Sequence, residues 1–144
     1  MAARINIKNK SREQTGASMV EFSLVALVFF ILIFGIIELG LLLFNQQVVT
    51  NAGREGARHG IVARPPDQKI GTSEIIKKAR EYAEQHIVSF GNKNFDVQAT
   101  FASGLNHCER FRDVLTVDVT YDYSFLLLPF AKKELGSTAI MICE

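Results

Sequence analysis

Residues 22–44, FSLVALVFFILIFGIIELGLLLF, form an apolar run interrupted only by Ser23, Gly35, Glu38 and Gly40. A helix of these 23 residues is long enough, at about 1.5 Å per residue, to cross the roughly 30 Å hydrocarbon core of a bilayer. A secretory signal peptide has a shorter apolar stretch, about 7–15 residues, with a small-residue cleavage site behind it. Here the run passes into NQQVVTNAGREGARHG, which offers no such site and keeps a helical pattern. The spacing therefore predicts a retained transmembrane helix. The remainder of a 144-residue chain has room for one small soluble domain of roughly 100 residues, too little for a multidomain enzyme.

Charge sets the orientation. Ahead of Gly16 stand Arg4, Lys8, Lys10 and Arg12 against the single acid Glu13, whereas beyond Phe44 twelve basic side chains balance twelve acidic ones. Basic flanks stay in the cytoplasm, so the chain is expected to be single-pass, with its N-terminus in and its C-terminal part outside. The balanced C-terminal part lacks the clustered basic face that phosphate binding requires, which argues against nucleic acid as a partner.

Two acids interrupt or border the run. A charge at the centre of a membrane helix costs roughly 2.5–3.5 kcal/mol on insertion scales, which makes each a candidate functional residue. Glu38 is near the outer end, where it either snorkels or is protonated, or else makes a helix-packing or subunit contact. Glu21 lies five residues after Gly16 and one before the run. Were the chain cut between Gly16 and Ala17, the new amino group would lie about one helical turn from this carboxylate. At that depth both charges benefit from an opposite charge, and a neighbouring subunit can supply it.

These residues carry a resemblance. GASMVEF, residues 16–22, is similar to the class III leader of type IV pilins and pseudopilins: a short basic leader, Gly at its last position, Glu at the fifth mature position, then an apolar helix. The continuation NAGREGARHG at 51–60 and the closing STAIMICE resemble the TadE-like family, minor pseudopilins of the tight-adherence (Tad, or Flp) pilus system. The likeness is good from Gly16 to about Val62 and loose over the C-terminal strands. It implies that Gly16 and Ala17 are the scissile pair of a prepilin peptidase in the inner (cytoplasmic) membrane. Glu21 would then be needed for processing or assembly, and Phe22 would be the aromatic that follows it. Ala17 stands where type IVa pilins carry Phe. The implied partners are that peptidase, sister pilin or pseudopilin subunits, the Tad inner-membrane assembly platform and the lipid bilayer, and the implied role is pilus assembly and surface adherence. The alternative is a generic single-pass membrane-anchored binding domain, which would have no use for a cut ahead of its anchor.

Beyond Phe44 the pattern stays helical to about Gly60, with Val48, Val49, Ala52 and Ala57 as its apolar positions. Gly56 and Gly60, four apart, permit a close backbone approach, and Arg54, Glu55 and Arg58 flank it. This stretch reads either as a solvated juxtamembrane helix or as a subunit contact. RPPDQ at 64–68 ends it. Thr72 or Ser73 is placed to cap a second helix running to about Ser89, with Ile75, Ile76, Ala79, Tyr82, Ala83, Ile87 and Phe90 on its packed face. Alternation then predicts strands over 95–101 and 114–125, a break around Pro129, and a last strand over 138–143. The expected class is α+β: a long N-terminal transmembrane helix, then a small pilin-like extracytoplasmic domain with one helix on a roughly three-stranded antiparallel sheet. The expected segments are a basic cytoplasmic leader (1–16), a transmembrane and juxtamembrane helix (17–62) and the domain (63–144).

Enzyme chemistry finds no constellation. His59, His86 and His107 fall in three different segments. Asp118 and Asp122, four apart on one strand, would stand roughly 13 Å apart, too far to share a proton or a metal. There is no phosphate-cradling glycine loop and no metal-ligand spacing, so neither cofactor nor catalysis is expected. Cys108 and Cys143 are the only cysteines. Facing an oxidising compartment they either bridge or serve as small hydrophobes in a core.

Overall fold

A computed structural model describes residues 10–62, 69–91, 93–109, 111–127 and 131–143. The leader before Lys10, the RPPDQ stop at 64–68 and Pro129 lie outside the described residues. The elements run α1 (Lys10–Ile61), α2 (Thr72–His86), β1 (Phe95–Phe101), β2 (Val114–Ser124) and β3 (Lys132–Ile142). The chain divides into two compact units, Met1–Ile37 and Glu38–Glu144. This moves the start of the folded domain from the expected position 63 back to Glu38, so the last part of α1 belongs to the domain.

In the second unit β2 is the central strand, antiparallel to β1 on one side and β3 on the other. Its alternation is the reason: Leu115, Val117, Val119, Tyr121 and Tyr123 are buried, while Asp122 on the opposite face is exposed and Asp118 and Thr120 are half-buried. Successive side chains of a strand point to opposite faces, so one face of the sheet is apolar and must be covered. The domain part of α1 covers it with Asn45, Val48, Val49, Ala52, Gly53, Gly56, Ala57 and Gly60, all buried and spaced by three and four. Glycine matters most at the two closest approaches. A Cβ on Gly56 would stand 2.8 Å from the Cβ of Ala79 on α2, and one on Gly60 would stand 2.5 Å from Cδ1 of Ile75 and 2.7 Å from Cδ2 of Leu115. The Gly56/Gly60 pair thus lets α1 approach α2 and β2 within one chain.

The second helix buries Ile75, Ala79 and Ala83, one residue per turn, against the same core. Its N-cap is Gly71 and not Thr72 or Ser73. No side chain caps it; instead the Gly71 carbonyl accepts from the N–H groups of Glu74 and Ile75 at 3.0 and 3.2 Å. It ends at His86, three residues earlier than expected, because Ile87 turns to an extended conformation. Phe90 therefore leaves the packed face and is exposed. The third strand begins at Lys132, six residues before the expected start, and pairs with β2 over its whole length from Ser124↔Lys132 to Val114↔Ile142.

Cys108 and Cys143 form a disulfide with Cα atoms 6.0 Å apart, closing a sequence separation of 35 residues. It ties the β1–β2 loop to the end of β3, where the Cys143 N–H also donates to the Asp113 carbonyl at 2.8 Å. In the chain-entropy description a loop of this size contributes about 4 kcal/mol. Reduction, or the double variant Cys108→Ser with Cys143→Ser, is expected to lower the unfolding free energy of the domain by about 3–4 kcal/mol, read as a shift of the urea midpoint with and without reductant. An unchanged midpoint would contradict a structural role for the bridge.

Candidate functional site

From Gly16 to Ile37 the chain is a bare helix. Met19, Val20, Phe22, Leu24, Val25, Leu27 and Val28 are all more than half exposed, and so are Phe29, Phe30, Ile31 and Leu32. They occupy every side of the helix, so no polar face is left for water. A helix that is apolar all round belongs in a membrane or a protein core, and an exposed patch of this extent marks an interaction surface. By length and composition the helix can cross a bilayer, which is compatible with single-pass anchoring. Residues 17–37 alone rise about 31 Å, enough to span. The span therefore does not need residues 38–44, which were expected to be part of it.

Glu21 and Phe22 are exposed on this helix, close to its N-terminal end. Nearby, the Ser23 hydroxyl donates back to the Met19 carbonyl at 2.7 Å, so its polar group is satisfied within the helix. A Cβ at Gly16 would meet nothing within 4 Å. The Gly16–Ala17 peptide lies within α1, so a peptidase that grips an extended backbone must first unwind this turn. Glycine makes that unwinding easier.

Of the roles expected of it, Glu38 has a packing contact of α1, made within its own chain. It is buried, and its carboxylate accepts from the Tyr123 hydroxyl at 2.7 Å, from the Leu126 N–H at 2.9 and 3.0 Å, and from the Leu127 N–H at 3.1 Å. The acid that looked like a lipid-facing charge is thus the hub of a network inside the domain, satisfying the backbone where β2 ends. Burial and the neighbouring Glu38 carboxylate hold the Tyr123 phenol above its ordinary range. Two turns on, Asn45 repeats the device. It is fully buried, its Nδ2 donates to the Val88 carbonyl at 2.7 Å, and its Oδ1 accepts from the Val88 N–H at 3.1 Å.

Arg54 and Arg58 are exposed and Glu55 is half-buried. With Asn51, Tyr82 and Met141 they line a shallow polar groove, so the structure brings these three charged candidates together and separates Gly56 from them. His86 is held locally, its ring stacked on Tyr82 with centroids 4.3 Å apart. Asp118 accepts from the Thr138 hydroxyl across the β2–β3 pair. Among the described residues, no three of His, Cys, Asp and Glu are grouped to hold a metal ion.

The stretch from the open glycine to the second arginine is also where the chain has relatives. Residues 16–58 match the family model described as TadE-like protein. The matched stretch starts at Gly16 and ends at Arg58, so it takes in the bare helix, Glu38, Asn45 and the arginine pair. No curated protein and no solved structure matches the chain.

Proposed function

We propose that the chain is a minor pilin, or pseudopilin, of a Tad/Flp-type pilus. A prepilin peptidase of the inner membrane cuts it between Gly16 and Ala17, its apolar helix is retained as anchor and packing spine, and its domain faces outward. It then enters the pilus or is needed for its assembly, a structural role without catalysis. The observation that carries this reading is where the family match begins. It starts at Gly16, the last leader residue by the pilin pattern, and continues into a helix whose apolar side chains are largely exposed. Such a helix has two uses in succession, first in lipid and then against sister helices. A soluble enzyme would need neither.

In this reading the exposed Glu21 carboxylate meets the free amino group of a neighbouring subunit. Removing one partner of a charge pair in low dielectric strands the other, at several kcal/mol. The Glu21→Gln variant is expected to remain in the membrane at normal abundance yet fall at least about tenfold in the sheared-pilus fraction, the equivalent of roughly 1.4 kcal/mol. Quantitative blotting of membrane and pilus fractions checks it. Normal incorporation of the Gln variant would remove Glu21 from assembly, and absence of the wild-type chain from the pilus together with normal piliation of a deletion strain would remove the proposed function.

A further inference from the structure

The end of the domain that carries Glu38 differs from the rest of its surface. Glu38 holds the backbone N–H groups of Leu126 and Leu127, yet the two leucine side chains remain 43% and 47% exposed. Phe90, 53% exposed, lies at the same end. Its neighbour Gly91 packs so near the end of β2 that a Cβ there would stand 3.5 Å from the Ser124 hydroxyl oxygen. Beside them the Phe125 N–H meets the Ala131 carbonyl at 3.5 Å, and β3 opens with exposed Lys132 and Lys133 opposite Ser124 and Tyr123. The nearest acidic pair, Asp122 and Glu134, lies one row further along the sheet.

We propose that this end of the domain, Phe90, Leu126, Leu127, Lys132 and Lys133, rests in the headgroup layer of the outer leaflet. The inference rests on the anchoring reading above. Ile37 is the last residue of the bare helix and Glu38 is its covalent neighbour, so with 17–37 filling the hydrocarbon, Glu38 and the backbone it binds stand at the outer boundary. Large apolar side chains there reach the acyl boundary, while two lysines extend along it to lipid phosphates. Continuity with the membrane-spanning stretch and the sign of the charge both favour lipid over a protein partner.

The chain contains no tryptophan, so a single introduced one reports its own surroundings. Full-length Leu127→Trp, Phe29→Trp and Phe111→Trp variants are reconstituted in phosphatidylethanolamine/phosphatidylglycerol vesicles, with and without phospholipid brominated near the top of the acyl chain. Phe111 is highly exposed and sits beside Arg112, whose N–H binds the Cys143 carbonyl beyond the opposite end of β3. Leu127→Trp is expected to emit blue-shifted and to lose roughly half its emission to brominated lipid, as interfacial burial requires. Phe111→Trp should stay quenchable by aqueous iodide alone. Adding Lys132→Gln and Lys133→Gln should reduce the Leu127→Trp quenching and abolish its dependence on phosphatidylglycerol. Leu126→Trp gives the same reading if Leu127→Trp fails to insert. Quenching of Phe29→Trp without quenching at 126 or 127 overturns the proposal and leaves the anchor intact. An unquenched Phe29→Trp overturns the anchor itself. Blue-shifted, iodide-protected emission that brominated lipid does not quench means that a second subunit covers the patch, and equal lipid quenching of Phe111→Trp means nonspecific adsorption; either result overturns the proposal.

Discussion

Glu38→Ala is expected to destabilise the folded domain by about 3–5 kcal/mol, a large share of the roughly 5–15 kcal/mol that holds a domain of this size together. The carboxylate is the acceptor for the Tyr123 hydroxyl and for the N–H groups of Leu126 and Leu127. Alanine leaves all three donors at a site too crowded to hydrate fully, and each buried donor without a partner costs about 1–3 kcal/mol. Glu38→Gln keeps one acceptor oxygen and is expected to lose about half as much. Tyr123→Phe removes one donor together with its hydroxyl and should cost only about 1–2 kcal/mol. Urea unfolding of the detergent-solubilised full chain, followed by near-ultraviolet circular dichroism of the tyrosines, gives the three values. A lipid-facing Glu38 would give the opposite ranking. The alanine variant would then insert more readily and unfold within about 0.5 kcal/mol of wild type, as surface changes do.

The second large effect is on processing. Gly16→Val is expected to abolish the mature form, leaving only full-length precursor in the membrane, while Gly16→Ala slows the cut. The structure separates this outcome from misfolding. A Cβ at position 16 has no neighbour within 4 Å, and replacing glycine within a helix does not weaken it. Folding, the disulfide and membrane insertion should therefore match wild type, and the defect should lie in the peptidase, which cannot seat a side chain where the backbone must pass extended. Blots of pulse-labelled chain follow precursor and product directly. Mature chain appearing from Gly16→Val at the wild-type rate would show that the cut does not read this residue.

Much of this architecture could be read from local pattern, and the exceptions share a cause. The β2 strand was legible because its burial alternates over the whole strand, which needs no knowledge of its neighbours. The first half of β3 was not. KKELG, residues 132–136, buries only Leu135 and has a strand's form because it is pairing with 120–124 of β2. A hydropathy window likewise reads Glu38 and Asn45 as a defect and an end of the membrane run, because their partners, Tyr123 and Val88, are 85 and 43 residues away. The small-residue spacing of Gly56 and Gly60 did announce a close approach, but not that α2 and β2 of the same chain would be what approaches. For the leader the position is reversed. Its meaning lies in the local pattern of residues 16–22, of which Glu21 and Phe22 are exposed on α1, so sequence is the better guide there.

The most direct test of the account is the N-terminal residue of the wild-type chain purified from membranes of cells that make the pilus, read by Edman degradation or by mass spectrometry of the N-terminal peptide. The mature chain is expected to begin at Ala17 and to keep the whole apolar helix. Either an intact Met1 or a cut on the far side of residue 44 would contradict it.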